Sequence, residues 1–254
     1  MDRDVVDARR ALDLLDLTDL GDHPTPEGID RLCDRAMGPE GTTAAVCVWP
    51  RFVGQCVRRL RGSGVLVATV VNFPDGGDDL AAVAAETRQA VRDGADEIDL
   101  VLPYRSFLAG DVASTAAMLD GVRHLVVEQR RMKVILESGG YPTIDQVHAA
   151  ARMAIEHGAD FVKTSTGKTA VSATDEAVVA ILEEIRSSGR PVGVKPSGGI
   201  SSLADAQRFL AHADRIMGPQ WATRATFRFG ASGLLDVLLA VIAGVGDHAH
   251  SGTY

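Results

Sequence analysis

Short apolar runs alternate with longer segments of helical periodicity along almost the whole chain. The runs fall at 14–18, 44–49, 65–71, 97–102, 133–137, 161–164, 192–195 and 227–229, and their length and β-branched content predict strands. Helical spacing is found between and after them at 25–37, 51–60, 78–92, 112–130, 144–157, 175–187, 203–212 and 234–242, and a short helix is expected ahead of the first strand. Strands separated by helices of this length pair in parallel, because a parallel neighbour requires a crossover connection. Eight such units close into one α/β domain of the (β/α)8, or TIM-barrel, class, spanning residues 1–243. Gly94-Ala95-Asp96 before the fourth strand is echoed by Gly158-Ala159-Asp160 before the sixth, with each glycine placed to end a helix. Ala213-Asp214 reads as a degenerate third copy. An open doubly wound sheet is the competing architecture, but no dominant Gly-rich loop follows the first strand. Residues 244–254 carry glycines without apolar periodicity and read as a mobile tail.

Composition narrows the setting. The 254 residues match the roughly 250 of such a barrel. A net charge of −8 opposes general attraction to nucleic acid or anionic lipid, so an anionic ligand should be small and locally held. No stretch approaches the length of a membrane span, and the charged N-terminus lacks a secretory apolar core. Cys33, Cys47 and Cys56 form neither a disulfide framework nor a zinc pattern. These features predict a cytoplasmic protein with no nucleic-acid or membrane partner.

Reactive groups in a (β/α)8 barrel sit at the C-terminal ends of strands. Here those positions hold Asp16, Thr18, Cys47, Asn72, Asp99, Glu137, Lys163 and Lys195. Lysine inside an apolar strand is the sharpest of these signals, since an unpaired buried ammonium is unfavourable. Strand alternation points Asp99 to the barrel interior if Leu100 faces the helices. Two inward lysines at about 6 Å would repel by roughly 3 kcal/mol, enough to leave one amine substantially neutral and nucleophilic toward a carbonyl. The competing reading makes both lysines structural partners of Asp99 and Glu137, and spacing alone does not say which lysine would react. The segments 196–201 and 230–233 follow the last two strands and open helices, as phosphate loops do in this fold; Lys168 would add a cation. Plain turns and a solvated lysine are the alternatives. Cys47 reads as a small buried hydrophobe, and His148, His157 and His212 show no metal or catalytic spacing.

Taken together, Leu14-Leu15-Asp16-Leu17-Thr18, Cys47-Val48-Trp49-Pro50, Val71-Asn72-Phe73-Pro74, Asp96-Glu97-Ile98-Asp99, Phe161-Val162-Lys163-Thr164-Ser165-Thr166-Gly167, Gly193-Val194-Lys195-Pro196 and Arg228-Phe229-Gly230-Ala231-Ser232 resemble the deoxyribose-phosphate aldolases. The motifs run in family order over nearly the whole chain. The resemblance implies reversible cleavage of 2-deoxy-D-ribose 5-phosphate to D-glyceraldehyde 3-phosphate and acetaldehyde, in deoxyribonucleoside catabolism, with neither metal nor organic cofactor. It assigns the Schiff base to Lys163, the neighbouring cation to Lys195 and proton relay to Asp99, with Asp16 in the proton network. It places substrate contacts at Thr18, Cys47 and Thr164, and phosphate contacts at Lys168, Gly198, Gly199, Gly230 and Ser232. Tyr254 would bring a phenol to the substrate from a folded tail, and a homodimer is a frequent assembly among relatives. Ser201 stands where an arginine or lysine is common and Gly233 where a second serine is, which leaves more of the anion to backbone N–H groups and Lys168. A ketose-phosphate or transaldolase-like aldolase would share the lysine, whereas an isomerase or silent binder would share only the phosphate loops.

Overall fold

The fold is described from a computed structural model, over residues 2–127 and 129–245. Eight parallel strands form the barrel: β1 (Leu15–Asp19), β2 (Ala45–Val48), β3 (Leu66–Val71), β4 (Glu97–Val101), β5 (Arg131–Ile135), β6 (Phe161–Lys163), β7 (Gly193–Lys195) and β8 (Phe229–Ala231). Each pairs with its sequence neighbour and β8 pairs with β1; parallel bridges Val194–Phe227 and Ser197–Gly230 bring β7 and β8 together. Val46, Val48, Ile98, Leu100, Val134, Val162 and Val194 belong to the main apolar core, and the alternate positions face the barrel axis. No described helix is long and apolar enough to cross a membrane.

Helix boundaries follow local chemistry. Thr25, Asp79, Asp111, Thr174 and Ser202 each accept an amide hydrogen bond in the first turn of the helix that follows. Caps of this kind contribute about 1 kcal/mol each. The Gly-Ala-Asp echo is structural. Gly94 (φ 97°) and Gly158 (φ 86°) take left-handed conformations after their helices. Asp96 then accepts the Val67 amide, and Asp160 accepts the Met132 amide, both at 2.8 Å. Each aspartate thereby ties its own strand's entry to the preceding strand.

Several boundaries differ from the sequence expectation. β5 begins at Arg131 and ends at Ile135, because Glu137 turns to φ 59° and leaves the extended run. β8 begins at Phe229, although contact with β7 starts at Phe227. The helix expected over 112–130 stops at Leu125, and that expected over 203–212 runs on to Met217. Phe209, Leu210, Ala213 and Ile216 continue its buried stripe, while Asp214 takes a bidentate bond from Arg10 at 2.6 and 2.7 Å. Ala213-Asp214 is therefore mid-helix rather than a strand entry. An antiparallel pair (Met37–Gly38 with Gly41–Thr42) and a one-turn helix (Tyr104–Leu108) are additions. At the start of the expected tail, Gly244 and Val245 donate back to the Val241 and Ala240 carbonyls at the end of the last helix.

Candidate active site

The barrel axis is filled by charge. Alternation on β4 turns Glu97 and Asp99 inward, and register sets Asp99 beside Lys133 and Lys163 beside Lys195. Asp16 of β1 and Arg228, just ahead of β8, complete the layer; all are buried. One oxygen of Asp99, Oδ2, accepts from Lys163 Nζ at 3.0 Å and Lys195 Nζ at 2.9 Å, which holds the two amines at most about 6 Å apart. Its other oxygen accepts from Lys133 Nζ at 2.8 Å. Lys195 Nζ also lies 2.6 Å from Asp16 Oδ2, off the direction of a good hydrogen bond, so that contact is an ion pair. Lys133 has Glu97 at 2.5 Å as a second carboxylate. Arg228 bridges Asp16 at 2.5 Å and Glu97 at 3.0 Å.

These contacts separate three buried lysines into two kinds. Burial disfavours every ammonium, but Lys195 has Asp16 and Asp99 close by, and Lys133 has Asp99 and Glu97, so both are held above the ordinary lysine value. Lys163 has one carboxylate oxygen, already shared with Lys195. Burial therefore prevails over Asp99, Lys195 adds repulsion, and the Lys163 amine is pushed below the ordinary value. Spacing had offered repulsion as the cause; burial is the larger one. Asp99, Asp16 and Glu97 are all opposed by burial and still held below the carboxylate range, by Lys133, Lys195 and Lys163 around Asp99, by Lys195, Arg228 and Lys133 around Asp16, and by Lys133 and Arg228 around Glu97.

A cavity of about 520 Å³ opens beside this layer, walled by the loops after β1, β6, β7 and β8. It brings together Thr18, Lys168, Gly198, Gly199, Gly230 and Ser232, as well as Ser201 and Gly233. Gly230 is required by closeness: a Cβ there would fall 2.5 Å from Ser197 Oγ and 3.1 Å from Lys195 Cε. Gly233 precedes the last helix (Leu234–Ile242) and supplies no side-chain cap to its first N–H groups. Among the described residues Lys168 Nζ meets only Asp22, at 3.4 Å, whose own side chain is 82% exposed.

Other candidates serve differently. Thr18 donates to the Asp16 carbonyl at 2.9 Å. Thr164 is fully buried and its hydroxyl is used on the backbone of Ser197, donating to the carbonyl and accepting from the amide, so it braces the β7 loop. Cys47 is buried among Leu20, Ala68 and Val70, and burial pushes its thiol up. Asn72, at φ 57°, spends its amide on the Gly77 and Val101 carbonyls. Glu137 contacts neither lysine; it bonds Thr166 and Thr169, so the salt-bridge alternative holds for Asp99 and fails for Glu137. Tyr254 lies outside the described residues. Glu97, Lys133 and Arg228 are the charged members of the layer that sequence reasoning does not name as site candidates.

The chain is similar to known proteins over nearly its whole length. Residues 7–240 match the DeoC/LacD family aldolase domain. A protein of Agrobacterium fabrum (strain C58 / ATCC 33970) named deoxyribose-phosphate aldolase is 50% identical over 238 residues, covering 93% of this chain and 92% of that one. The solved structure of a Toxoplasma gondii ME49 protein provisionally named deoxyribose-phosphate aldolase superposes with a TM-score of 0.87 at 27% identity, over 96% of both chains. A tetrameric deoxyribose phosphate aldolase from Aeropyrum pernix, 22% identical, shares the fold with a TM-score of 0.75 over 95% of this chain and 98% of that one. With the family domain covering nearly all of it, the chain belongs to the DeoC/LacD family of aldolases.

Proposed function

We propose that this aldolase reversibly cleaves 2-deoxy-D-ribose 5-phosphate to D-glyceraldehyde 3-phosphate and acetaldehyde through a Schiff base on Lys163, in deoxyribonucleoside catabolism in the cytoplasm. The observation that carries it is the single buried lysine, Lys163, whose ammonium is destabilised beside two whose ammoniums are stabilised. A neutral amine attacks C1 of the open-chain sugar, and the carbinolamine loses water to an iminium. Loss of the C3 hydroxyl proton then breaks the C2–C3 bond, its electrons passing to the iminium to give an enamine and releasing glyceraldehyde 3-phosphate. Protonation at C2 and hydrolysis return acetaldehyde and the free amine. Asp99, hydrogen-bonded to both Lys163 and Lys195, is placed to pass protons between them, with Asp16 holding Lys195 charged.

Treatment with acetaldehyde and borohydride should add one reduced ethyl group, and peptide mapping should place it on Lys163. An adduct on Lys195 would reverse the assignment, and no adduct would remove the Schiff base altogether.

The phosphate would lie in the 520 Å³ cavity, met by Lys168, Ser232 and the amides around Gly198, Gly199 and Gly230. Lys168→Ala should raise the KM for deoxyribose 5-phosphate about 10- to 100-fold, the worth of one charge-assisted hydrogen bond. Unphosphorylated deoxyribose should be nearly unaffected, because it offers Lys168 nothing to hold. Equal effects on both sugars would exclude the phosphate role; steady-state kinetics with each decide it.

A further inference from the structure

The turn after β5 contains a buried carboxylate that the chemistry above does not use. Glu137 is 1% exposed and sits at φ 59°, ψ 55°, a left-handed conformation disfavoured for a residue with a side chain. Strain of this kind persists where surrounding contacts over-determine it. Among the described residues, the hydrogen bonds of its side chain all run to one segment. The carboxylate accepts from the Thr166 hydroxyl in a short bond, from the Thr166 amide at 3.4 Å, and from the Thr169 hydroxyl at 3.1 Å. Thr166 Oγ1 in turn accepts the Lys168 amide at 3.0 Å. One carboxylate thus fixes both ends of the segment 166–169, whose middle residues, Gly167 and Lys168, line the cavity.

The same turn grips that loop a second time. A Cβ on Gly139 would fall 2.3 Å from the Val171 carbonyl oxygen, so the two backbones touch. From the β7 side, a Cβ on Gly198 would fall 2.5 Å from Ser172 Oγ and 3.1 Å from Gly167 Cα. The loop is clamped between the β5 turn and the β7 loop, with Glu137 its only anionic anchor among these contacts.

We propose that Glu137 is a positioning residue for substrate recognition: it holds the 166–169 segment so that Lys168 and the Gly167 backbone meet the anionic end of the sugar. This rests on the phosphate role proposed for Lys168. Glu137→Gly is the decisive variant, because glycine accepts the left-handed backbone while the carboxylate is lost. It should raise the KM for deoxyribose 5-phosphate about tenfold, with the KM for deoxyribose and both kcat values changed by less than about threefold. Glu137→Gln keeps one acceptor oxygen for the Thr166 hydroxyl, while its amide N–H can donate to the Thr169 hydroxyl as that hydroxyl turns to the Val171 carbonyl 3.1 Å away, and it should restore most of the affinity. Should Glu137→Gly not fold, Thr169→Val removes one hydroxyl at an exposed position and should raise the same KM about threefold. Equal changes for both sugars, or none in either variant, would overturn the proposal. If Lys168→Ala itself shows no phosphate-selective effect, the phosphate reading fails first; if it does and the Glu137 variants do not, only the positioning role fails.

Discussion

Asp99→Asn is expected to lower kcat for deoxyribose 5-phosphate by about three orders of magnitude, within the range a positioned proton-transfer group contributes. The carboxylate lies within 3.0 Å of the amines of Lys133, Lys163 and Lys195, and no other carboxylate touches Lys163 among the described residues. Loss of turnover alone would not report how Asp99 sets the charge of the Lys163 amine, but the pH dependence of trapping does. Asp99 favours the charged form of Lys163, so its removal should let the amine react with acetaldehyde and borohydride at lower pH than in the parent. Lys195 disfavours that charged form, so Lys195→Leu should move trapping to higher pH. The two variants therefore shift the same profile in opposite directions. A shift of both in one direction, or of neither, would show that the amine of Lys163 is not set by these two neighbours.

The parts of this site that were legible in the sequence were those written by strand alternation. Lys163 and Lys195 stood out as charges in apolar runs, and Asp99 could be pointed inward because Ile98 and Leu100 claimed the helix side. Lys133 shows the limit. A fifth strand that starts at 133 puts this lysine on its first residue, where nothing marks it as buried; with Arg131 and Met132 inside the strand, it is an interior position registered against Asp99. Arg228 stands between Phe227 and Phe229, both in the main core, and that flanking was the available signal that the arginine faces the other way. Glu137 ends the fifth apolar run, and only the competing reading makes it a partner for a lysine. Its real partners, Thr166 and Thr169, depend on a left-handed turn that no periodicity announces. The pKa order of the lysines was likewise beyond spacing, since it depends on how many carboxylates each buried amine touches.

Arg228→Met should destabilise the barrel by about 3–5 kcal/mol at neutral pH, the usual penalty for removing one partner of a buried ion pair. The guanidinium is fully buried, lies over the Phe161 ring at 5.5 Å, and serves two carboxylates at once, Asp16 at 2.5 Å and Glu97 at 3.0 Å. Methionine fills much of the space and keeps the apolar contact, so the loss comes chiefly from leaving two buried anions short of a cation. Lys195 still pairs with Asp16 and Lys133 with Glu97, which keeps the effect within that range rather than abolishing the fold. The pH dependence carries the sign. Asp16 and Glu97 are held below their ordinary values in the parent, so the stability they contribute is present above the unfolded-state value near pH 4 and is lost as pH falls below it. Removing Arg228 raises both folded-state values, so the variant has less of this stability to lose. Urea unfolding of parent and variant should therefore show a difference that is full at pH 7 and narrows as pH falls through the variant's raised folded-state values toward the lower values of the parent. A second replacement, Glu97→Leu in the Arg228→Met background, removes one stranded anion and should destabilise less than it does in the parent. A Glu97→Leu replacement that destabilises the Arg228→Met background as much as it does the parent would mean that Arg228 stabilises by filling space, with its charge immaterial.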